Sequence, residues 1–200
     1  AIVRREQQRP FDLSREIPFR AVLVRRDVQL HDLVVTFHHL AVDGTSLRIF
    51  QRDLSNLYAG RPLAPLPVSY GDFAAWEREQ WSGERLEQEI AFWRKHLQDA
   101  PLVLELPTDR PRPAAASYTG EVLSRRIGRV ECAPLLALTQ QEKASLFMAL
   151  LAAFGGALHL HSGQRDLVIG TPVSGRNRSE LQGLVGMFVN QLPLRFRVER

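Results

Sequence analysis

The 200-residue sequence predicts a mixed α/β protein in two lobes, and three observations carry that reading. Segments with period-2 apolar patterning alternate with segments whose apolar residues recur every three or four positions. Between Pro101 and Pro113 lie Pro101, Pro107, Pro111 and Pro113, and residues lacking an N–H cannot sit at that density inside a helix or a sheet. This stretch reads as a linker between lobes. Finally, the run Phe37-His38-His39-Leu40-Ala41-Val42-Asp43-Gly44-Thr45-Ser46 marks the passage from an apolar strand to an amphipathic helix.

The elements follow in order. Phe19 to Arg26 and Gln29 to His38 read as two strands joined by a tight connection at Asp27-Val28. Leu33, Val35, Phe37 and His39 fall on one face of the second strand, and Val34, Thr36 and His38 on the other, so the two imidazoles point in opposite directions. Leu47, Phe50, Leu54 and Leu57 form the stripe of a helix from Thr45 to about Tyr58, with Asp43 to Ser46 at its start, Gly60 at its end and Pro62 beyond. A proline-rich loop, Pro62 to Pro67, leads to a helix beginning near Ser69 that carries Tyr70, Phe73, Trp76 and Glu77. Another helix runs from about Glu84 to Leu97, with Leu86, Ile90, Trp93 and Leu97 on one side and Phe92 flanking them. These aromatics read as core. After the linker, Thr119 to Ile127 reads as a strand, Glu131 to Thr139 as a short helix, Ala144 to His161 as a long buried helix and Asp166 to Thr171 as a buried strand. A turn-rich loop from Gly170 to Arg178, a short helix and the segment Leu184 to Phe196 complete the chain.

Composition narrows the function. The 44% hydrophobic content is that of a folded protein. The net charge of +4 comes from arginine, since Lys95 and Lys143 are the only lysines. The densest basic pairs, Arg4-Arg5, Arg25-Arg26 and Arg125-Arg126, lie far apart and form no stripe interleaved with aromatics, which argues against nucleic acid. The single Cys132 excludes an internal disulfide and a Cys-rich zinc site, and fits a reducing compartment. No charged-then-apolar leader opens the chain, and the apolar stretch from Leu146 to Leu160 is too short for a bilayer and broken by Gly155 and Gly156. The expectation is a soluble cytoplasmic protein without membrane contact. Both ends read as cuts through a larger structure.

The histidine run carries the chemistry. One imidazole lies close to a helix start, where free N–H groups and partial positive charge favour developing negative charge, a combination suited to acyl transfer. Neighbouring strand residues do not converge, so His38 and His39 do not form a metal-chelating pair. The simplest reading of the pair is one packed residue beside one solvated residue, and that of Asp43 is a helix N-cap.

Four segments in order, His38-His39-x-x-x-Asp43-Gly44, Tyr70-Gly71-Asp72-Phe73-Ala74-Ala75-Trp76, Leu106-Pro107-Thr108-Asp109-Arg110-Pro111-Arg112-Pro113 and the block Gly170 to Asn190, resemble the condensation domain of nonribosomal peptide synthetases. The resemblance implies the fold of chloramphenicol acetyltransferase: two α/β lobes in a V-shaped pseudo-dimer, here incomplete at both ends. Residues 1–98 would be the latter part of the N-terminal lobe, 99–118 the linker and 119–200 the first part of the C-terminal lobe. It also implies an acyltransferase that joins a donor acyl or peptidyl thioester to the amine of an acceptor aminoacyl thioester. No cofactor would be bound directly. Substrates would arrive on the 4'-phosphopantetheine of upstream and downstream peptidyl carrier proteins, beside an adenylation domain.

On the same resemblance His39 is the catalytic or amine-positioning histidine and His38 a structural neighbour. Asp43 holds the motif in shape, Arg176 is its salt-bridge partner, and Gly44, Ser46 and Asn190 are oxyanion or substrate contacts. An α-amine titrates near pH 8 and a free imidazole near 6.5, so accepting the amine's proton costs little near neutrality. The missing parts of both lobes imply exposed apolar surface and poor solubility or a molten state for these residues alone. The spelling Leu40 to Ser46 leans toward epimerisation domains, while Gly186-Met187-Phe188-Val189-Asn190 leans toward condensation. Epimerisation and a non-catalytic recruitment module are the alternatives. The two histidines disfavour heterocyclisation, whose domains carry aspartate in the first histidine's place.

Overall fold

The computed structural model describes residues 2–111, 113–117 and 120–199. Its elements are α1 (Ile2–Gln8), β1 (Phe19–Arg25), β2 (His31–Phe37), α2 (Gly44–Tyr58), α3 (Tyr70–Gln80), α4 (Gly83–His96), α5 (Arg129–Gln141), α6 (Leu146–Ser162), β3 (Asp166–Val173), a 3-10 turn (Ser179–Leu181) and β4 (Asn190–Arg197). Chain contacts group these into one unit of Ala1–Ile90 with Pro172–Leu192, and another of Ala91–Thr171 with Pro193–Arg200.

In the first unit β1 and β2 pair antiparallel, from Phe19 opposite Phe37 to Arg25 opposite His31. The turn that joins them is wider than the tight connection expected at Asp27-Val28, because Arg26 and Asp27 both donate their N–H to the Leu30 carbonyl. Alternation puts Phe19 and Phe37 on one face, where Phe50 of α2 packs at ring distances of 6.2 and 5.1 Å. That contact seats α2 on the sheet. Asp43 caps α2 in an extended conformation, as short polar side chains do where N–H groups lack acceptors. Ser69 and Asp72 form a reciprocal capping box at the start of α3. Phe73, Leu181, Leu184 and Phe188 make the core cluster, with Val68 against it.

In the second unit, Ser145 caps α6 at its start, and Gly163 ends it in the left-handed conformation at φ 72°. Gly155 is the buried residue of that helix, because a Cβ there would meet the Phe196 ring of β4 at 2.6 Å. Arg195 of β4 pairs with Asp166 of β3 and donates to the His96 and Gln98 carbonyls at the end of α4. The Arg195 hydrogen bond is the chief reason why the Asp166 carboxyl titrates below its ordinary value.

Further expectations need correction. β2 ends at Phe37, so the histidines lie in the turn that follows rather than on alternate faces of a strand. Residues 120–127 form no strand, and Thr119 lies outside the described residues; Val122 and Leu123 are almost wholly exposed, and their backbone finds no ladder partner among the described residues. Helix α6 is present but not buried: Phe147, Met148, Leu150, Phe154 and Leu160 are each more than half exposed. The expected short helix after the Gly170 loop is a single 3-10 turn, and that loop begins only at Ser174, since β3 runs on to Val173. α1 was not anticipated: seven residues carry little intrinsic helical stability. The stretch Pro101 to Pro113 holds no helix or strand among its described residues.

Candidate active site

The site is assembled where β2 hands over to α2. After Phe37 the chain turns. The His38 N–H donates to the Pro18 carbonyl at 3.0 Å, and the Ala41 N–H returns to the His38 carbonyl at 3.0 Å. The Leu40 N–H donates to His38 Nδ1 at 3.1 Å, which assigns the neutral ring's proton to Nε2. His38 is half-buried with its ring engaged, whereas His39, at the crest of the turn, is exposed. His39 borders a pocket of about 400 Å³ together with Val35, Phe37, Val42, Gly44 and Leu47. A Cβ added to Gly44 would meet nothing within 4 Å, so the space beside the first residue of α2 is open. Amides at a helix start have no intrahelical acceptor, and an oxyanion in this pocket would find one at Gly44.

Behind the turn is a buried polar knot. Asp43 is 1% exposed, and its Oδ1 accepts from the Ser46 N–H at 2.7 Å and from the Ser46 hydroxyl at 2.8 Å. Its Oδ2 accepts from the Phe188 N–H at 3.3 Å, and Arg176 Nη2 lies 3.2 Å from both oxygens. Burial alone would raise the Asp43 carboxyl. Hydrogen bonds from Ser46, Arg176 and Phe188 outweigh it and hold the group below its ordinary 3.8. Asp43 is thus both the cap of α2 and one half of a buried ion pair, and its carboxylate is fully committed.

Arg176 reaches further. Its Nη1 donates to the Leu181 carbonyl at 2.6 Å and the Leu184 carbonyl at 2.9 Å, and its guanidinium lies 3.9 Å from the centre of the Phe188 ring. One side chain therefore fixes both the 3-10 turn and the segment after it against the start of α2. Gly175, just before it, has φ 64°, and a Cβ there would collide with the Phe188 carbonyl oxygen. A glycine is required at that point.

Ser46 is wholly buried, and its hydroxyl is within hydrogen-bond distance of Asp43, the Gly186 carbonyl (2.7 Å), the Gly186 N–H (3.0 Å) and Arg176 Nη2 (3.0 Å). Its one proton serves either Asp43 or the Gly186 carbonyl, and the oxygen accepts from the others. The structure thus places Ser46 inside the knot rather than in the pocket. Asn190 opens β4, is exposed, accepts from the Gln191 N–H at 2.8 Å and does not line the pocket. Of the residues nominated from sequence, His39, Asp43 and Gly44 line the pocket, Asp43 with its carboxylate already committed, while His38, Ser46 and Arg176 stand outside the lining.

Sequence reasoning missed the role of Tyr70, whose hydroxyl donates to the Met187 carbonyl at 2.8 Å and whose ring fills the space where a Cβ on Gly186 would stand. Burial chiefly, with the charges of Glu77 and Asp43, raises its hydroxyl above the ordinary tyrosine value. The local signal for it was the Gly186-Met187-Phe188 run, a sharp feature without an evident partner. Among the described residues no three His, Cys, Asp or Glu side chains are grouped as metal ligands would be. No single helix among them is long and apolar enough to cross a membrane.

Known proteins resemble this chain in sequence and in fold. The Condensation domain family model matches residues 1–200. A component of linear gramicidin synthase from Brevibacillus parabrevis is 41% identical over 196 residues, which are 95% of this chain and 2% of the synthase chain. The X-domain of teicoplanin biosynthesis, solved in complex with OxyB, superposes with a TM-score of 0.91 at 31% identity, over 100% of this chain and 46% of that one. A four-domain nonribosomal peptide synthetase solved with AMP and glycine superposes with a TM-score of 0.85 at 26% identity, over 99% of this chain and 15% of that one. The chain thus spans a small fraction of the gramicidin synthase chain and under half of the X-domain chain. Its fold is the chloramphenicol acetyltransferase-like fold of these neighbours, and the family match runs through the histidine turn and the Arg176 loop alike. On that agreement of fold and sequence, the chain belongs to the condensation domains of nonribosomal peptide synthetases.

Proposed function

We propose that this chain contributes the histidine side of a site that forms an amide bond between two carrier-bound thioesters. The observation that carries the reading is the division of labour between the histidines: His38 is tied into the turn, while His39 is free at the rim of a pocket beside the Gly44 amide. The acceptor's amine nitrogen attacks the donor's thioester carbonyl, and the oxygen takes the charge. His39 orients the amine and receives its proton. The tetrahedral intermediate then collapses, the carbon–sulfur bond breaks, and the departing thiolate takes up a proton. Gly44 N–H is the oxyanion donor within reach of the pocket. Holding both reactants on tethers supplies several kcal/mol by proximity.

Condensation domains of these synthetases are acyltransferases that work on phosphopantetheine-borne substrates beside carrier and adenylation domains, and we extend those partners and a cytoplasmic setting to this chain. We extend to it also the lobe assignment of residues 1–98 and 119–200 about a linker at 99–118. A second reading, a non-catalytic recruitment module, draws support from the likeness to the X-domain found in complex with OxyB. The exposed His39 favours catalysis. Epimerisation at an α-carbon is the third reading.

One experiment separates them: single turnover of the intact domain with donor and acceptor loaded on carrier proteins and the acceptor deuterated at its α-carbon. A dipeptidyl thioester that keeps its deuterium supports condensation. Deuterium loss without coupling indicates epimerisation, and neither signal indicates recruitment.

A further inference from the structure

Arg20 of β1 is a largely buried cation, its side chain 12% exposed, whose shortest contacts are with backbone carbonyls rather than with an anion. Its Nη2 donates to the Arg9 carbonyl at 2.6 Å and lies 3.4 Å from that of Glu6, while Nη1 donates to the Pro10 carbonyl at 3.0 Å. Glu16 stands 3.5 Å away. The guanidinium therefore gathers the carbonyls at the end of α1, where a helix leaves them without partners. The same guanidinium sits 3.7 Å from the centre of the Phe11 ring. Phe11 in turn meets the His38 ring at 5.9 Å and 86°, an edge contact. Arg20 pairs across the sheet with Thr36, two residues before His38.

We propose that Phe11 and Arg20 are positioning residues for the His39 chemistry, an assignment that rests on the function proposed above. The guanidinium holds the Phe11 ring, and the ring braces the His38 imidazole from the side. The brace keeps Nδ1 of His38 aimed at the Leu40 N–H, and that bond fixes the turn on which His39 stands. His38 is the middle member of a stack running from the end of α1 to the crest of the turn, and its job is orientation. Neither Phe11 nor Arg20 is among the residues that line the pocket, and both act through His38.

The test uses the intact parent domain with Phe11→Leu, Phe11→Tyr, Arg20→Met and His39→Ala. Readouts are single-turnover coupling, kcat and KM, the melting temperature, and nitrogen NMR of 15N-histidine-labelled protein, which reports each ring's tautomer. Phe11→Leu keeps the apolar bulk but removes the ring, and should lower kcat by about 10- to 100-fold with KM nearly unchanged, the scale of a small misplacement of a reacting group. Phe11→Tyr restores the ring and should return kcat to within about twofold of wild type. His38 should be a single Nε2–H tautomer in wild type and Phe11→Tyr, and a tautomer mixture in Phe11→Leu. Arg20→Met should follow Phe11→Leu; should it fail to fold, the two Phe11 variants decide the matter. If Phe11→Leu couples as fast as wild type while His39→Ala is inactive, the positioning role is overturned and the catalytic reading stands. Full activity of His39→Ala overturns both.

Discussion

Replacing Arg176 with methionine keeps much of the side chain's bulk but strands a carboxylate that is 1% exposed. Asp43 would retain the Ser46 and Phe188 donors, yet lose the guanidinium that neutralises it. The Leu181 and Leu184 carbonyls would lose their Arg176 donor at the same time. Removing one partner of a buried ion pair costs about 3–5 kcal/mol. That is a large part of the roughly 5–15 kcal/mol that holds a domain folded. For 200 residues it corresponds to a fall in Tm of roughly 6–20 °C, and for the longer intact domain to a proportionately smaller one. Thermal and urea unfolding of the intact domain measure it. Combining Arg176→Met with Asp43→Asn removes both charges, and the double variant should be less destabilised than the sum of the singles by about 0.5–3 kcal/mol. Acid sharpens the test. Because the fold holds the Asp43 carboxyl below its ordinary 3.8, its contribution is complete above that pH and is lost as pH falls through the lower folded value. The gap in stability between wild type and Arg176→Met should therefore be widest above about pH 4 and narrow below it. A urea-unfolding stability within about 1 kcal/mol of wild type, against the roughly 3–5 kcal/mol expected, or an additive double variant would refute the claim that this pair fixes the loop to α2.

Two further outcomes follow from the same structure. Gly175→Ala forces a side chain onto a residue at φ 64° and into the Phe188 carbonyl, and should cost more than about 1 kcal/mol in urea unfolding; a neutral result would show that the loop can move away. The isolated 200-residue chain exposes Phe147, Met148, Leu150 and Phe154 along α6, and should bind a hydrophobic dye and self-associate. A monomeric, cooperative melting transition would contradict that expectation.

What the sequence disclosed depended on how local each feature is. The start of α2 is legible because the Asp43 cap acts on the N–H groups of the very next turn. Its buried face is not: of the expected stripe, Leu47, Leu54 and Leu57 are exposed, and Ser46 and Ile49 are buried instead. The hub role of Ser46 was not legible, since the hydroxyl's partner Gly186 lies 140 positions away and nothing near Ser46 announces it. The stretch 120–127 has strand composition but no strand, because a strand exists only when another backbone pairs with it. The burial expected for α6 failed for a related reason: apolar sequence measures what a surface could bury against, not whether that neighbour is in the chain. The histidines were placed one residue too far into β2. Alternation alone could not show that His38 would fall opposite Pro18, which accepts its N–H in the same register but has none to return, so that the regular pairing ends at Phe37.

The measurement that tests the central claim most directly is single-turnover coupling by the intact domain with His39→Ala beside wild type, each paired with its melting curve. Removing a group that orients the amine and takes its proton should slow coupling by about 100-fold or more. Because His39 is exposed and caps nothing, the melting temperature should stay where it was. Coupling at the wild-type rate with an unchanged melting curve would contradict the account.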